Sequence, residues 1–137
     1  TIVRIVLRIL ILSYEWKCIK MNKNENSTRY YSDMQEKAVC KVINGQQTSN
    51  SGAGRFRKGD VINRNASLLA ECKTVMSKKD SVSIKKDWLD KNKQEAFSQQ
   101  LFNSCIAINF EPQGVNYFLI NEKLMKFLVE KLEEDNN

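Results

Sequence analysis

With 137 residues and 42% apolar side chains, the chain has enough material for one domain with a real core and too much hydrophobicity for wholesale disorder. Its formal charge of +6 favours an anionic partner. The complete lack of histidine excludes His-activated nucleophiles and the usual zinc sites, so any metal must be held by oxygen ligands, as magnesium or manganese is. None of the four cysteines, Cys18, Cys40, Cys72 and Cys105, forms a C-x-x-C pair. Three of them sit in apolar runs, which points to buried free thiols in a reducing compartment and hence to the cytoplasm.

Residues 1–20 differ in character from the rest. The apolar run Ile2–Leu12 is broken by Arg4 and Arg8 and is too short to span a bilayer, and no small-residue cleavage site follows it. Met21 then opens a polar segment, so residues 1–20 are expected to be an upstream read-through or an appended extension, with a membrane-surface helix as the alternative. Residues 21–137 are expected to form one domain. Ser32 or Asp33 is placed as the cap of a helix running to about Ile43, stopped by Asn44-Gly45. A Ser/Asn/Gly-rich loop follows, with at most a short strand at its start. Strands are expected over Asp60–Asn63 and Ser67–Thr74 around a tight turn at 64–66, then a helix over Ser83–Asn103. Strands at Cys105–Phe110 and Val115–Ile120 flank the turn 111–114, and Asn121 caps a last amphipathic helix to about Glu133. Trp88, Phe97 and the aromatics of 117–120 are assigned to the core. The order α-β-β-β-α-β-β-α predicts an α/β fold, a small mixed central sheet flanked by helices.

Charged residues interrupt this pattern in three places. On a helical wheel Glu36 falls between Cys40 and Ile43, inside the apolar arc, where a carboxylate is costly unless it meets a cation or stays at the rim. Asp60 opens one strand, and Glu71 and Lys73 end the next on a shared face, because strand side chains alternate with period two. Glu71 and Lys73 are either a surface salt bridge or part of a site. As a site, a metal held by Asp60, Glu71 and the backbone carbonyl of Cys72 would polarise a phosphodiester, and Lys73 would orient or deprotonate the attacking water and offset transition-state charge.

The stretch "KGDV…LLAECKT" resembles the PD-(D/E)xK nuclease motif, with Gly59 in place of the usual proline. The preceding "NSGAGRFRKGD" resembles the Ser-Gly-rich loop of archaeal-type Holliday junction resolvases and their phage relatives, and "SIKKDWLDKNKQEAF" with "CIAINF" is similar to the helix and strand that follow in phage resolvase-like proteins. The resemblance covers about residues 30–132. It implies a restriction-endonuclease-like core with Asp60, Glu71 and Lys73 as catalytic residues. It further implies Glu36 as an auxiliary ligand for Mg2+ or Mn2+, and Ser51 beside the scissile phosphate. It implies a homodimer cutting branched DNA, a four-way junction above all, in a bacterial or phage-infected cell. A restriction or repair nuclease with the same core, and a non-catalytic DNA-binding protein that keeps the fold, remain as alternatives.

Between Arg55 and Lys93 lie eleven Lys or Arg against five Asp or Glu, so the basic excess brackets the carboxylates in sequence. Arg55, Arg57 and Lys58 ahead of Asp60, Lys78 and Lys79 after Glu71, and Lys86 on the next helix are the expected phosphate contacts. Glu95, and more weakly Gln94, share the site-facing side of that helix. A chain started at Met21 is expected to fold and to keep its activity. Circular dichroism and a cleavage assay on the shortened chain check this, and insolubility would show that residues 1–20 belong to the domain.

Overall fold

The computed structural model of the chain describes residues 2–10, 28–48 and 60–137. Backbone contacts divide the chain into two compact units, Thr1–Tyr30 and Tyr31–Asn137. In the first, residues 2–10 form a helix, α1. No helix among the described residues is long and apolar enough to cross a membrane.

The second unit is an α/β fold around a five-stranded mixed sheet. Helix α2 (Thr28–Ile43) leads into β1 (Gln46–Gln47), β2 (Val61–Asn63) and β3 (Leu68–Lys73). Helix α3 (Lys86–Ser98) carries the chain to β4 (Asn103–Ile108), followed by β5 (Tyr117–Leu119) and α4 (Glu122–Asp135). The strands lie in chain order β1-β2-β3-β4-β5. Only β3 and β4 run parallel, with Leu68 opposite Asn103 and Lys73 opposite Ile108. A parallel pair needs a long crossover, and α3 provides it.

Alternation along β3 builds two cores. Ala70 packs under α2 with Val39, Val61, Cys105 and Ala107. Leu69, one residue away and on the other face, packs with Ala96, Leu101 and Ile62 under α3. The β2–β3 hairpin is held by its turn: the Asn63 side chain accepts from the Ala66 N–H at 3.0 Å, and the Ser67 N–H donates to the Arg64 carbonyl at 3.1 Å. Asn121 caps α4 as its sequence predicts, accepting the Leu124 N–H at 2.9 Å.

The structure corrects several boundaries. Helix α2 begins at Thr28, ahead of Ser32 and Asp33. Asp33 is not its cap but pairs with Lys37, one turn on, at 2.7 Å. Helix α3 runs from Lys86 only to Ser98, because Gln100 takes a left-handed φ of 62° and the Leu101 N–H turns back to the Ala96 carbonyl. That turn drops Leu101 into the core and starts β4 at Asn103, which the helical pattern had claimed. The aromatic assignments fail in part. Phe97 is 83% exposed and Tyr117 56% exposed, whereas Phe118, between two outward residues of β5, packs on the core. Trp88 is only half-buried.

Gly45 sits where α2 turns into the sheet, after Asn44 at φ 52°. A Cβ there would meet Val61 Cγ1 at 2.8 Å and the Ile62 carbonyl oxygen at 2.9 Å, and the latter is backbone that cannot swing away. Gly45→Ala should therefore destabilise the domain by about 1–3 kcal/mol, the range of overpacking. Urea unfolding measures it, and an unchanged midpoint would show that helix and sheet can part without cost.

Candidate active site

The antiparallel register of β2 and β3, with Val61 opposite Ala70, carries Asp60 across from Glu71. Asp60 is fastened from both sides. Its N–H donates to the Ala70 carbonyl at 3.0 Å, and its own carbonyl accepts the Thr48 N–H at 2.9 Å. Its carboxylate Oδ2 accepts the Cys72 N–H at 2.7 Å. Two residues along the same face as Glu71, Lys73 Nζ donates to Glu71 Oε1 at 3.0 Å and lies 4.7 Å from the centre of the Trp88 ring. The structure thus brings Asp60, Glu71 and Lys73 to one place.

Lys73 and Glu71 open into a cleft of about 350 Å³. Its other wall is α3, which contributes Trp88, Asn92 and Glu95, with Lys85 at the helix's start. Trp88 is therefore a cleft residue rather than a core residue, with the Lys85 ammonium 5.9 Å from its ring as well. Glu95, which the helix pattern allowed to reach the site, does line it. Asn92 is buried and donates to the carbonyls of Cys105 at 2.9 Å and Leu69 at 3.4 Å, tying α3 to the paired strands.

Glu36 stands on α2, which covers the opposite face of the sheet. It is buried, as the wheel placed it, and its Oε2 accepts from the Gln47 side chain at 2.9 Å. Burial raises its pKa; the Gln47 hydrogen bond lowers it, and the charges of Asp33 and Glu71 raise it further. Asp60 is perturbed more. Burial first and Glu71 second push its carboxyl up to about 7, against the pull of the Cys72 N–H. The Cys72 thiol is driven far up by burial and then by Asp60, Glu36 and Glu71. The three carboxylates of the motif thus feel one another around the end of β3.

Gln35 escapes sequence reasoning altogether. It is buried, and its Nε2 reaches the Lys73 carbonyl at 3.3 Å, the Ala107 carbonyl at 3.3 Å and Asn116 Oδ1 at 3.1 Å, while its Oε1 accepts from Thr74 at 2.6 Å. It braces the end of the strand that carries Glu71 and Lys73. Its only trace in the sequence is its place one turn before Val39 on the packed face of α2.

Of the expected phosphate contacts, Arg55, Arg57 and Lys58 lie outside the described residues, as do Ser51 and Gly59. Lys78 and Lys79 are exposed beyond β3, and the Lys79 N–H donates to the Phe110 carbonyl at 2.7 Å. Lys86 pairs with Asp90 at 3.0 Å on the surface. The cations that line the cleft are Lys73, Lys85 and Lys91, the last paired with Asp87 at 3.0 Å. Cys40, Cys72 and Cys105 are free thiols, but only Cys105 is buried as expected, Cys40 and Cys72 being half-buried; Cys18 lies outside the described residues.

Among the described residues no three His, Cys, Asp or Glu side chains are arranged to hold one ion together. The donor chemistry nonetheless suits Mg2+, which takes one or two carboxylates and keeps several waters. Asp60 and Glu71 repel each other across the hairpin, and this repulsion adds to burial in holding a proton on Asp60 near neutrality; a divalent cation held there would relieve it. Compared with protein-family models, curated proteins and solved structures, the chain has no match.

The raised Asp60 pKa has a definite sign in stability. The folded state keeps a proton that the unfolded chain releases near the ordinary value of 3.8, so stability falls as pH rises from there to about 7. Asp60→Asn keeps an acceptor for the Cys72 N–H and removes the charge. Each tenfold difference in proton affinity between the folded and unfolded states is worth about 1.4 kcal/mol. In chelator at about pH 8 the variant should therefore be more stable than the parent by up to a few kcal/mol, with the difference gone below about pH 4. Urea unfolding across that range is the check, and parallel pH profiles would contradict the perturbed Asp60.

Proposed function

We propose that the chain is a metal-dependent DNA endonuclease of PD-(D/E)xK type, and most specifically a Holliday junction resolvase acting as a homodimer on four-way junctions. The observation that carries the reading is the hairpin register, which sets Asp60 opposite Glu71 and leaves Lys73 on the same face at the mouth of a cleft. Asp60, Glu71 and the Cys72 carbonyl would hold Mg2+ or Mn2+, with Glu36 as a further carboxylate nearby. When bound, the cation supplies positive charge against the phosphodiester and acidifies water.

The remaining work falls to the chain itself. Lys73, steadied between Glu71 and Trp88, holds the attacking water and offsets the negative charge that builds on the phosphate oxygens as the leaving oxygen departs. Lys85 and Lys91 on the cleft wall draw in the backbone phosphates of the nucleic acid. Two symmetric nicks in a four-way junction call for two sites, which a two-fold dimer provides. One observation favours a second reading, a non-catalytic DNA-binding protein: Glu71 is already engaged by Lys73, as in a structural salt bridge.

A single-turnover assay on a four-way junction and a matched duplex separates these. Cleavage should require Mg2+ or Mn2+ and fail in chelator or in Ca2+ alone. Asp60→Asn and Glu71→Gln should abolish cutting while DNA binding persists, and Lys73→Ala should slow it by about a hundredfold or more. Undiminished cutting in chelator, or by either carboxylate variant, would sink the assignment. Binding without cutting under every metal would favour the non-catalytic reading. Equal action on duplex and junction would keep the nuclease and remove the resolvase.

A further inference from the structure

The α3 wall of the cleft holds a buried acceptor that nothing satisfies. Among the described residues, Asn92 Oδ1 is the one buried side-chain nitrogen or oxygen without a hydrogen-bond partner. Asn92 itself is 2% exposed. Its Nδ2 spends both protons on the sheet, on the carbonyls of Cys105 at 2.9 Å and Leu69 at 3.4 Å. Turning the amide over would set its oxygen against those two carbonyl oxygens, so its orientation is fixed. Oδ1 is held on the other arm of the amide, in a residue that lines the cleft. A buried acceptor without a donor is costly, and native structures hold few of them.

The lysines of the cleft narrow the choice of donor. Lys91 is turned about 100° round α3 from Asn92, and Asp87 holds it at 3.0 Å. Lys85 is exposed and stands about two turns before Asn92. Lys73 differs from both. Helix α3 runs back along β3, so Trp88 stands beside Lys73 and Asn92, one turn on, beside Leu69. That turn rises about 5.4 Å, a span that a lysine side chain covers by changing rotamer. The Lys73 ammonium has three protons and gives one to Glu71 Oε1 at 3.0 Å. We propose that Asn92 Oδ1 is the second acceptor of the Lys73 ammonium, taken up when Glu71 is withdrawn, which makes Asn92 a positioning residue for the proposed nuclease. Glu71 has two claims on it, Lys73 in the structure and a cation in the proposed reaction. When the carboxylate turns to the cation, the hydrogen bond of Lys73 passes to Asn92. No covalent bond changes, and the ammonium keeps its three protons. The lysine then stays charged and oriented at the mouth of the cleft instead of swinging into solvent. The acceptor role stands on the geometry alone; its use in cutting rests on the nuclease reading above.

Nuclear magnetic resonance of the lysine ammonium groups reads this directly, through the scalar coupling that a hydrogen bond carries from Lys73 Nζ to the carbonyl carbon of its acceptor. In the full chain without metal the coupling should run to Glu71 Cδ. In Glu71→Ala, again without metal, it should run to Asn92 Cγ. Coupling to Asp60 instead, or none to Asn92, would overturn the proposal whatever the metal does. Mg2+ added to the unchanged chain, with no DNA present, should move the coupling from Glu71 to Asn92. If it stays on Glu71 while Glu71→Ala shows the Asn92 coupling, the second acceptor stands and the metal assignment fails. For cutting, Asn92→Leu keeps the volume and loses the acceptor. It should slow single-turnover cleavage of a four-way junction about tenfold or more, with junction binding unchanged. In a Lys73→Ala background the same change should cost nothing further. An equal loss in that background, or a folded variant that cuts at the parent rate, would overturn the positioning role. If loss of the two sheet bonds unfolds Asn92→Leu, the Glu71→Ala spectrum decides, because Asn92 is intact there.

Discussion

The two-residue period of β3 is the constraint on which the rest depends. Leu68, Ala70 and Cys72 turn toward α2, and Leu69, Glu71 and Lys73 turn toward α3. Because β3 is paired on both edges, its register cannot slip without moving its partners as well. A slip of one residue would drive Glu71 and Lys73 into the Val39 core and turn Ala70 and Cys72 outward. The same alternation that fills the core therefore delivers the charged pair to the cleft. The parallel β3–β4 pairing then requires α3 to pass over that face, and its passage turns two exposed charges into a walled site.

That site is not at ease electrostatically. Asp60, Glu71 and Glu36 raise one another's cost, and one lysine is not enough to settle three carboxylates. A protein built only for stability would place apolar side chains there. The surroundings hold the arrangement in place instead: the Cys72 N–H on Asp60, the Gln47 amide on Glu36, and the Gln35 amide on the carbonyl of Lys73. Polar groups of this kind, satisfied from several elements at once, fix positions rather than add net stability.

The element order and the mixed sheet were legible in the sequence, because the alternation in "SLLAECKT" and the apolar run "CIAINF" bear the marks of strands and Asn121 is a clear cap. The meeting of Asp60, Glu71 and Lys73 was legible for the same reason, since a hairpin with a known turn fixes who faces whom. What was not legible depends on partners far along the chain. Gln35 acts through residues up to 81 positions away, and nothing local distinguishes it from a surface glutamine. The end of α3 was hidden because Gln100, not a glycine, takes the left-handed turn. Phe97 and Tyr117 were misplaced because hydrophobicity reports what a side chain prefers, not whether a neighbour is present to cover it.

Trp88 gives the cleft an optical consequence. Its ring lies between two ammonium groups, 4.7 Å from that of Lys73 and 5.9 Å from that of Lys85. Indole emission shifts with the charge around the ring. Any phosphate that draws these lysines away changes that charge, so the colour of Trp88 follows occupancy of the cleft without a label. Trp16 is the only other tryptophan in the chain, and replacing it with phenylalanine leaves a single emitter at the mouth of the site.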